Sequence, residues 1–309
     1  MEWLTNIEDL KVERSVVSVG TFDGLHKGHL KVIGKTVQRA KEMKAVSIVF
    51  TFWPHPQEIL FPDKSVYYLN TFQEKIERFE KAGIDYLILF PFTKDFSQLS
   101  YQKFIKEYLV DALKMKFFVI GYDHHFGKDR AGDFKKLLSY SKDYNFGVER
   151  IEQEIVTGEV ASSTEIRNAI NKGELSKANN LLGYFYFLSG KVKQGKGIGR
   201  TINSPTLNIE LPVKKLIPKA AVYICLLQYN DKKYKAITNV GYNPTVDTNN
   251  ELGIEVHILD FNEEIYGKEV KVYFLEKIRE ELRFDNLMDL QKQIEKDKVA
   301  CIQYFKKQK

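Results

Sequence analysis

Gly20-Thr21-Phe22-Asp23-Gly24-Leu25-His26-Lys27-Gly28-His29 follows the apolar run Val16-Val17-Ser18-Val19 and precedes Leu30-Lys31-Val32-Ile33, where a helical pattern begins. A buried strand therefore feeds a glycine-rich turn, and the turn opens a helix. At such a junction free backbone N–H groups and the positive end of the helix dipole converge, which suits a nucleotide phosphate. His26 and His29 are three apart, so on a first helical turn they share a face. Two imidazoles there can hydrogen-bond phosphates and steady the charge on a departing pyrophosphate. The same pair can instead bind a metal. A glycine-rich turn alone is common; the upstream strand together with Gly20, Gly24 and Gly28 favours the phosphate reading.

Outward from this stretch, strand and helix alternate. Ala45–Phe52, Tyr86–Phe90 and Phe117–Ile120 read as further buried strands, with a short one near Val148–Ile151. Helical patterns cover about 30–43, Thr71–Ala82, Tyr101–Leu113 and Phe134–Tyr144. This alternation predicts a parallel sheet with helices on both faces, whose ligands bind beyond the carboxyl ends of the strands. Each polar motif of this half follows such an end. After the change of pattern near Gly183–Ser189, strands are expected at Tyr186–Val192, Thr206–Leu211, Ala221–Tyr229, Lys233–Val240, Glu255–Leu259 and Val270–Leu275. That is an antiparallel half, read as a barrel. Asn286–Phe305 closes the chain as one helix.

The 309 residues suffice for two domains, and 43% hydrophobic residues suffice for their cores. The net charge of +6 is spread among scattered lysines, which suits a solvated surface and anionic small molecules. Nucleic-acid binding would call for a basic–aromatic stripe, and none is present. Cys225 and Cys301 form no Cys-x-x-Cys, so neither a disulfide framework nor a zinc site is expected. Without a signal-like start or a run of about 18 apolar residues, a soluble cytoplasmic protein with no membrane partner is expected.

Other polar stretches leave alternatives open. Thr51-Phe52-Trp53-Pro54-His55-Pro56 is a stiffened turn or a pre-set binding loop carrying His55. Gly121-Tyr122-Asp123-His124-His125-Phe126-Gly127 offers Asp123 to ribose, base or metal, or simply to a turn. Ala161-Ser162-Ser163-Thr164-Glu165-Ile166-Arg167 reads as a capped helix start, whose first turn can aim Arg167 at a phosphate. Gly195, Gly197 and Gly199 alternate beside Lys196 and Arg200, as a phosphate flap or a hairpin loop. Thr206 and Asn208 share one side of a strand and can hold Mg²⁺. Glu255 is an exposed strand end or a general base.

Taken together, in order and over nearly the whole chain, these motifs resemble the bacterial bifunctional riboflavin kinase/FAD synthetases. The family's His-x-x-His corresponds to His26 and His29, its Thr-Phe-x-Pro-His-Pro to Thr51–Pro56, and its Gly-x-Asp/Asn-x-x-Phe-Gly to Gly121–Gly127. Its Ser-Ser-Thr-x-Ile-Arg corresponds to Ser162–Arg167 and its Pro-Thr-x-Asn to Pro205–Asn208. Its Asn-x-Gly-x-x-Pro-Thr matches Asn239–Thr245, its Glu-x-His segment Glu255–Gly267, and its Arg-x-Glu…Phe Arg279–Phe284. The resemblance implies an α/β nucleotidylyltransferase domain with a Rossmann-like parallel sheet over residues 1–184. It implies a β-barrel riboflavin kinase domain with a C-terminal helix over 185–309.

It further implies that the barrel phosphorylates riboflavin with ATP to FMN, and that the first domain adenylylates FMN with a second ATP to FAD. His26, His29 and Arg167 would stabilise the adenylyl transfer. Gly20, Phe22, Asp23, Gly24, His55, Asp123, Ser162, Ser163 and Thr164 would line its substrate site. In the barrel, Glu255 would be the base and Thr206 and Asn208 the Mg²⁺ ligands. Gly195, Gly197, Gly199, Arg200, Asn239 and Arg279 would bind substrate. The expected partners are small molecules, and the expected state is a monomer or weak homo-oligomer. A kinase with a degenerate adenylyltransferase half is opposed by the intact His26, His29, Ser162 and Arg167. The chain departs from the family pattern at Asn203-Ser204, where Gly-Phe is usual, at Gln57 for a frequent Arg, and at Ala221 for a common Gly.

Overall fold

The computed structural model describes residues 1–194, 205–242 and 252–308. Gly195, Gly197, Gly199, Arg200 and the Asn203-Ser204 pair lie outside the described residues, as do Pro244 and Thr245. The chain divides into two compact units, Met1–Ser163 and Thr164–Lys309.

Alternation along the strands builds the first unit. Its strands are β1 (Glu2–Leu4), β2 (Ser15–Val19), β3 (Val46–Phe52), β4 (Tyr86–Phe90), β5 (Met115–Gly121) and β6 (Gly147–Ile151). They form one parallel sheet in the order β1-β4-β3-β2-β5-β6. Val16, Val49, Leu87 and Val119 face one layer, with Val32 and Ile33 of α1 (Lys27–Glu42) and Ile76 and Phe79 from a further helix, Phe72–Lys81. Val17, Ile48, Phe50, Ile88 and Phe118 face the other, against Phe104, Ile105, Leu109 and Leu137. Because side chains alternate across a strand, both faces of the sheet are buried, and each large apolar side chain so covered contributes about 1.5–3 kcal/mol.

Between β2 and β5 the connections change direction across the sheet, which opens a crevice at the carboxyl ends of those two strands. Tyr101–Leu113, expected as a regular helix, begins with one α turn at Tyr101–Lys103 and continues as a π-helix over Phe104–Ala112. Winding with i→i+5 bonds brings positions five apart, Phe104 and Leu109, onto one buried face. β1 has three residues, too few for a periodic signal in the sequence.

In the second unit two helices, Ser163–Lys172 and Leu175–Leu182, precede the barrel strands. The first of these begins at Ser163, the last residue of unit one. With Ile155–Val156 and Glu159–Val160 counted as β7 and β8, the barrel strands are β9 (Phe187–Lys193), β10 (Leu207–Ile209), β11 (Ala221–Tyr229), β12 (Lys232–Tyr242), β13 (Leu252–Ile258) and β14 (Glu269–Glu280). They close antiparallel in the order β10-β13-β12-β11-β14-β9. Packing thus divides the chain at 163/164, upstream of the change of sequence pattern. Asn179 explains part of this: its amide donates to the Phe274 carbonyl at 2.9 Å and its oxygen accepts from Tyr186 N–H at 2.7 Å. The C-terminal helix, Leu287–Lys307, lays Cys301 on Val222, Ile224 and Ile237. Cys225 and Cys301 are free and buried.

Candidate active sites

The Gly20–His29 loop leaves β2 at the crevice. His26 caps α1: its Nδ1 accepts from the backbone N–H of His29 at 3.4 Å. That bond leaves the proton of the neutral ring on Nε2. The His26 and His29 rings stack with centroids 3.5 Å apart and planes at 24°. A Cβ on Gly28 would lie 3.2 Å from both the His26 ring and the Ala161 carbonyl, so glycine lets the loop close this tightly. Phe22, held at φ 45° in the left-handed region, presses edge-on against His29 with centroids 5.2 Å apart.

Burial lowers the His26 pKa to about 4, against the opposing charges of Asp23 and Asp123. His29 is held well below its ordinary range by burial, then by His26, Lys75 and His124. Both rings are therefore neutral near pH 7 and act as single N–H donors. The buried Nδ1 of His29 has no hydrogen-bond partner among the described residues. The influence of Asp123 and His124 on these rings places the loop after β5 beside the loop after β2.

Not every expected ligand faces this space. The Asp23 carboxylate accepts from the backbone N–H groups of Leu69 at 3.1 Å and Asn70 at 3.4 Å, and its own carbonyl accepts from the Ser163 hydroxyl at 2.8 Å. Asp23 and Ser163 thus shape the loop, and Ser163 is tied to a carbonyl where a helix cap was expected. His55 caps the short helix Pro56–Leu60, its Nδ1 accepting from Gln57 N–H at 3.2 Å, which leaves Nε2 as its donor. Thr164 and Arg167 stand on the helix Ser163–Lys172, within the second unit. Among the described residues no cluster of three His, Cys, Asp or Glu side chains could hold a metal ion.

In the barrel, register alone assembles a polar row. Asn208 lies opposite Glu255, Glu255 opposite Asn239, Asn239 opposite Val222, and Val222 opposite Arg279. Directly opposed residues share a face of a sheet, and Val222 packs under the C-terminal helix. Asn208, Glu255 and Asn239 therefore line the outer wall, while Ile254 and Val256 on either side of Glu255 fill the interior. Thr206, expected within this strand, lies immediately before β10, which begins at Leu207. His257 fixes this approach: its Nδ1–H donates to the Pro205 carbonyl at 2.9 Å, and burial keeps the ring on the neutral side of its ordinary range.

Arg279, expected at the substrate, is committed elsewhere. Its Nη2 donates to Asp297 Oδ2 at 2.8 Å, its Nε to both oxygens at 3.1 and 3.2 Å, and its Nη1 to the Glu280 carbonyl at 3.1 Å. It straps β14 to the C-terminal helix.

Lys75 and Asp297 are not singled out by the sequence, and His257 enters there only as the His of Glu-x-His, with no role of its own. Lys75 had a signal. Phe72, Ile76 and Phe79 follow the i, i+4, i+7 spacing of a buried helical stripe, and Lys75 occupies the i+3 place in it.

The FAD synthetase family model matches residues 9–165, and the riboflavin kinase family model matches residues 182–305. A bifunctional riboflavin kinase/FMN adenylyltransferase of Listeria monocytogenes is 39% identical, over 94% of this chain and 93% of its own. Those of Bacillus subtilis and Escherichia coli K12 are 37% and 33% identical, over 94% and 97% of this chain and 93% and 96% of theirs. Among solved structures, one described as a macrolide-efflux protein from Streptococcus pneumoniae matches with a TM-score of 0.89 at 32% identity, covering 97% of this chain and 98% of that one. Among the described residues of the present chain, no helix is long and apolar enough to cross a membrane.

Proposed function

The chain belongs to the family of bifunctional riboflavin kinase/FMN adenylyltransferases, and we propose that its barrel phosphorylates riboflavin to FMN and its parallel-sheet unit converts FMN and ATP to FAD and pyrophosphate. The observation that carries the second step is the stacked, neutral pair His26–His29 at the N-terminus of α1. In that step a phosphate oxygen of FMN attacks the α-phosphorus of ATP and the bond to pyrophosphate breaks. The nucleophile is already ionised, so no protein base is needed, and catalysis is positioning and charge stabilisation. His26 Nε2–H and His29 are neutral donors for the triphosphate, and the helix dipole adds positive potential.

His55 donates from the neighbouring loop. Asp123 and Ser162 join the backbone of Gly20 and Gly24 in the substrate lining, while Phe22, Asp23 and Ser163 hold the loop; Thr164 is assigned to the substrate by its motif alone. Arg167 is assigned to the phosphates by its motif. The functional boundary falls at 184/185, after the helices that lead into the barrel.

In the barrel, Glu255 takes the proton of the riboflavin 5′-hydroxyl and Asn239 orients the substrate beside it. The hydroxyl of Thr206 and the amide oxygen of Asn208 are hard oxygen donors, beside a carboxylate, and fit Mg²⁺. When bound there, Mg²⁺ supplies charge neutralisation for the transferring phosphoryl group. Gly195, Gly197, Gly199 and Arg200, outside the described residues, are assigned to the ATP phosphates by their sequence alone. The free thiols and the use of ATP suit the cytoplasm, with small molecules as partners and a monomer or weak homo-oligomer as the working state.

The test is chromatography of flavins after incubation with riboflavin, ATP and Mg²⁺. FMN followed by FAD is expected. Arrest at FMN would remove the adenylyltransferase reading, and no conversion of riboflavin while added FMN becomes FAD would remove the kinase reading.

A further inference from the structure

Lys75 lies one turn into the helix Phe72–Lys81 and is 4% exposed. Its Nζ donates to the Thr21 carbonyl at 2.7 Å and reaches that of Phe52 at 3.5 Å. These two carbonyls belong to different segments. Thr21 stands in the loop that carries His26 and His29, and Phe52 ends β3, where the chain turns toward His55. The same region also grips the first loop from the other side, through the bonds from Leu69 and Asn70 N–H to the Asp23 carboxylate.

A buried ammonium is costly unless hydrogen-bonded and balanced by charge. Here two carbonyls accept from it and the charge of Asp23 favours its protonated form, while burial brings its pKa down to about 8. The loop it holds is strained. Phe22 at φ 45° and Leu25 at φ 36° are left-handed without being glycine, a conformation that costs free energy. Such a conformation persists only where its surroundings over-determine it. The Thr21 carbonyl, one residue before Phe22, is clamped by Lys75 and by the Thr51 hydroxyl at 3.1 Å. Phe79, on the same helix as Lys75, meets the Phe22 ring edge-on at 5.9 Å.

We infer that Lys75 is a positioning residue for adenylyl transfer: through the Thr21 and Phe52 carbonyls it locks the His26–His29 loop to the His55 loop in the geometry that receives the triphosphate. The inference rests on the assignment of these histidines to that triphosphate.

The test compares Lys75→Met, which keeps length but loses charge and donors, with Lys75→Arg, which keeps both. The full chain is assayed for both reactions, with His29→Ala alongside. For Lys75→Met, kcat of FAD formation should fall about 30-fold or more while KM for ATP stays within about threefold, because misalignment removes transition-state geometry more than ground-state binding. Riboflavin phosphorylation should stay within about twofold. Lys75→Arg should exceed Lys75→Met by about tenfold in kcat. FAD formation within about threefold of the parent in Lys75→Met, or equal losses in the Met and Arg variants, would overturn the positioning role. If Lys75→Met fails to fold, judged by circular dichroism, Lys75→Gln is read by the same thresholds. Retained FAD formation in His29→Ala would instead overturn the histidine assignment itself.

Discussion

Replacing Arg279 by Met separates two roles that its motif leaves unresolved. The structure makes it a strap: three contacts to a carboxylate that is itself 3% exposed, and one to a backbone carbonyl. Removing the guanidinium leaves Asp297 held by the Gln293 amide, which donates to it at 2.9 Å. Breaking a buried ion pair on one side costs about 3–5 kcal/mol, because the other charge is left uncompensated. In a unit of this size that corresponds to a fall in melting temperature of roughly 6–20 °C. The second unit should lose this stability, followed by thermal unfolding with riboflavin phosphorylation as the probe of its native state. At temperatures where the variant is folded, KM for riboflavin and ATP should stay within about twofold, since ground-state binding is untouched. Arg279→Met with Asp297→Leu should recover most of the loss, since an apolar replacement of a buried pair is often neutral. A loss below about 1 kcal/mol together with a tenfold rise in KM would refute the strap and return Arg279 to the substrate.

Three further outcomes follow from the geometry. His26 is neutral in the fold and titrates at about 4 rather than at 6.5, so its contribution is fully present above pH 6.5. It is lost as pH falls toward 4, where the unfolded chain binds the extra proton, at a cost of about 3 kcal/mol; denaturant titrations at pH 7.5 and 4.5 should show this loss in the first unit, and His26→Asn should reduce it. Gly127→Ala places a Cβ 2.7–2.8 Å from the Cβ, Cα and N of Tyr101 at a φ of +74°. It should therefore destabilise the loop after β5 by about 2 kcal/mol or more and depress FAD formation without touching FMN formation in a paired activity assay. His257→Phe removes the bond to the Pro205 carbonyl while keeping an aromatic ring; riboflavin phosphorylation should fall about tenfold as Thr206 and Asn208 lose their fixed approach, and FAD formation from supplied FMN should be unchanged.

The Gly20–His29 stretch was legible because strand, turn and helix signals adjoin there, and the structure adds the stacking of two rings and the capping bond that fixes a tautomer. The alternating strands were legible for the same reason: Val16 and Val17 announce a sheet buried on both faces. For Lys75 the stripe of Phe72, Ile76 and Phe79 signals a buried position, but its role is not legible there, because its two carbonyl partners, at Thr21 and Phe52, are defined only by tertiary contact. Asp23 and Arg279 look like ligands in sequence because charge marks a site there, whereas their partners, Leu69, Asn70 and Asp297, are defined only by tertiary contact. The helices before the barrel carry no mark of the unit they join, since Asn179 is specified by a carbonyl far along the chain, at Phe274.

The most direct measurement of the division of labour is flavin chromatography on His29→Ala and Asn208→Ala, each given riboflavin or FMN with ATP and Mg²⁺. The account predicts that His29→Ala forms FMN and stops there, and that Asn208→Ala leaves riboflavin unconverted yet turns supplied FMN into FAD. Loss of both reactions in either folded variant would contradict it.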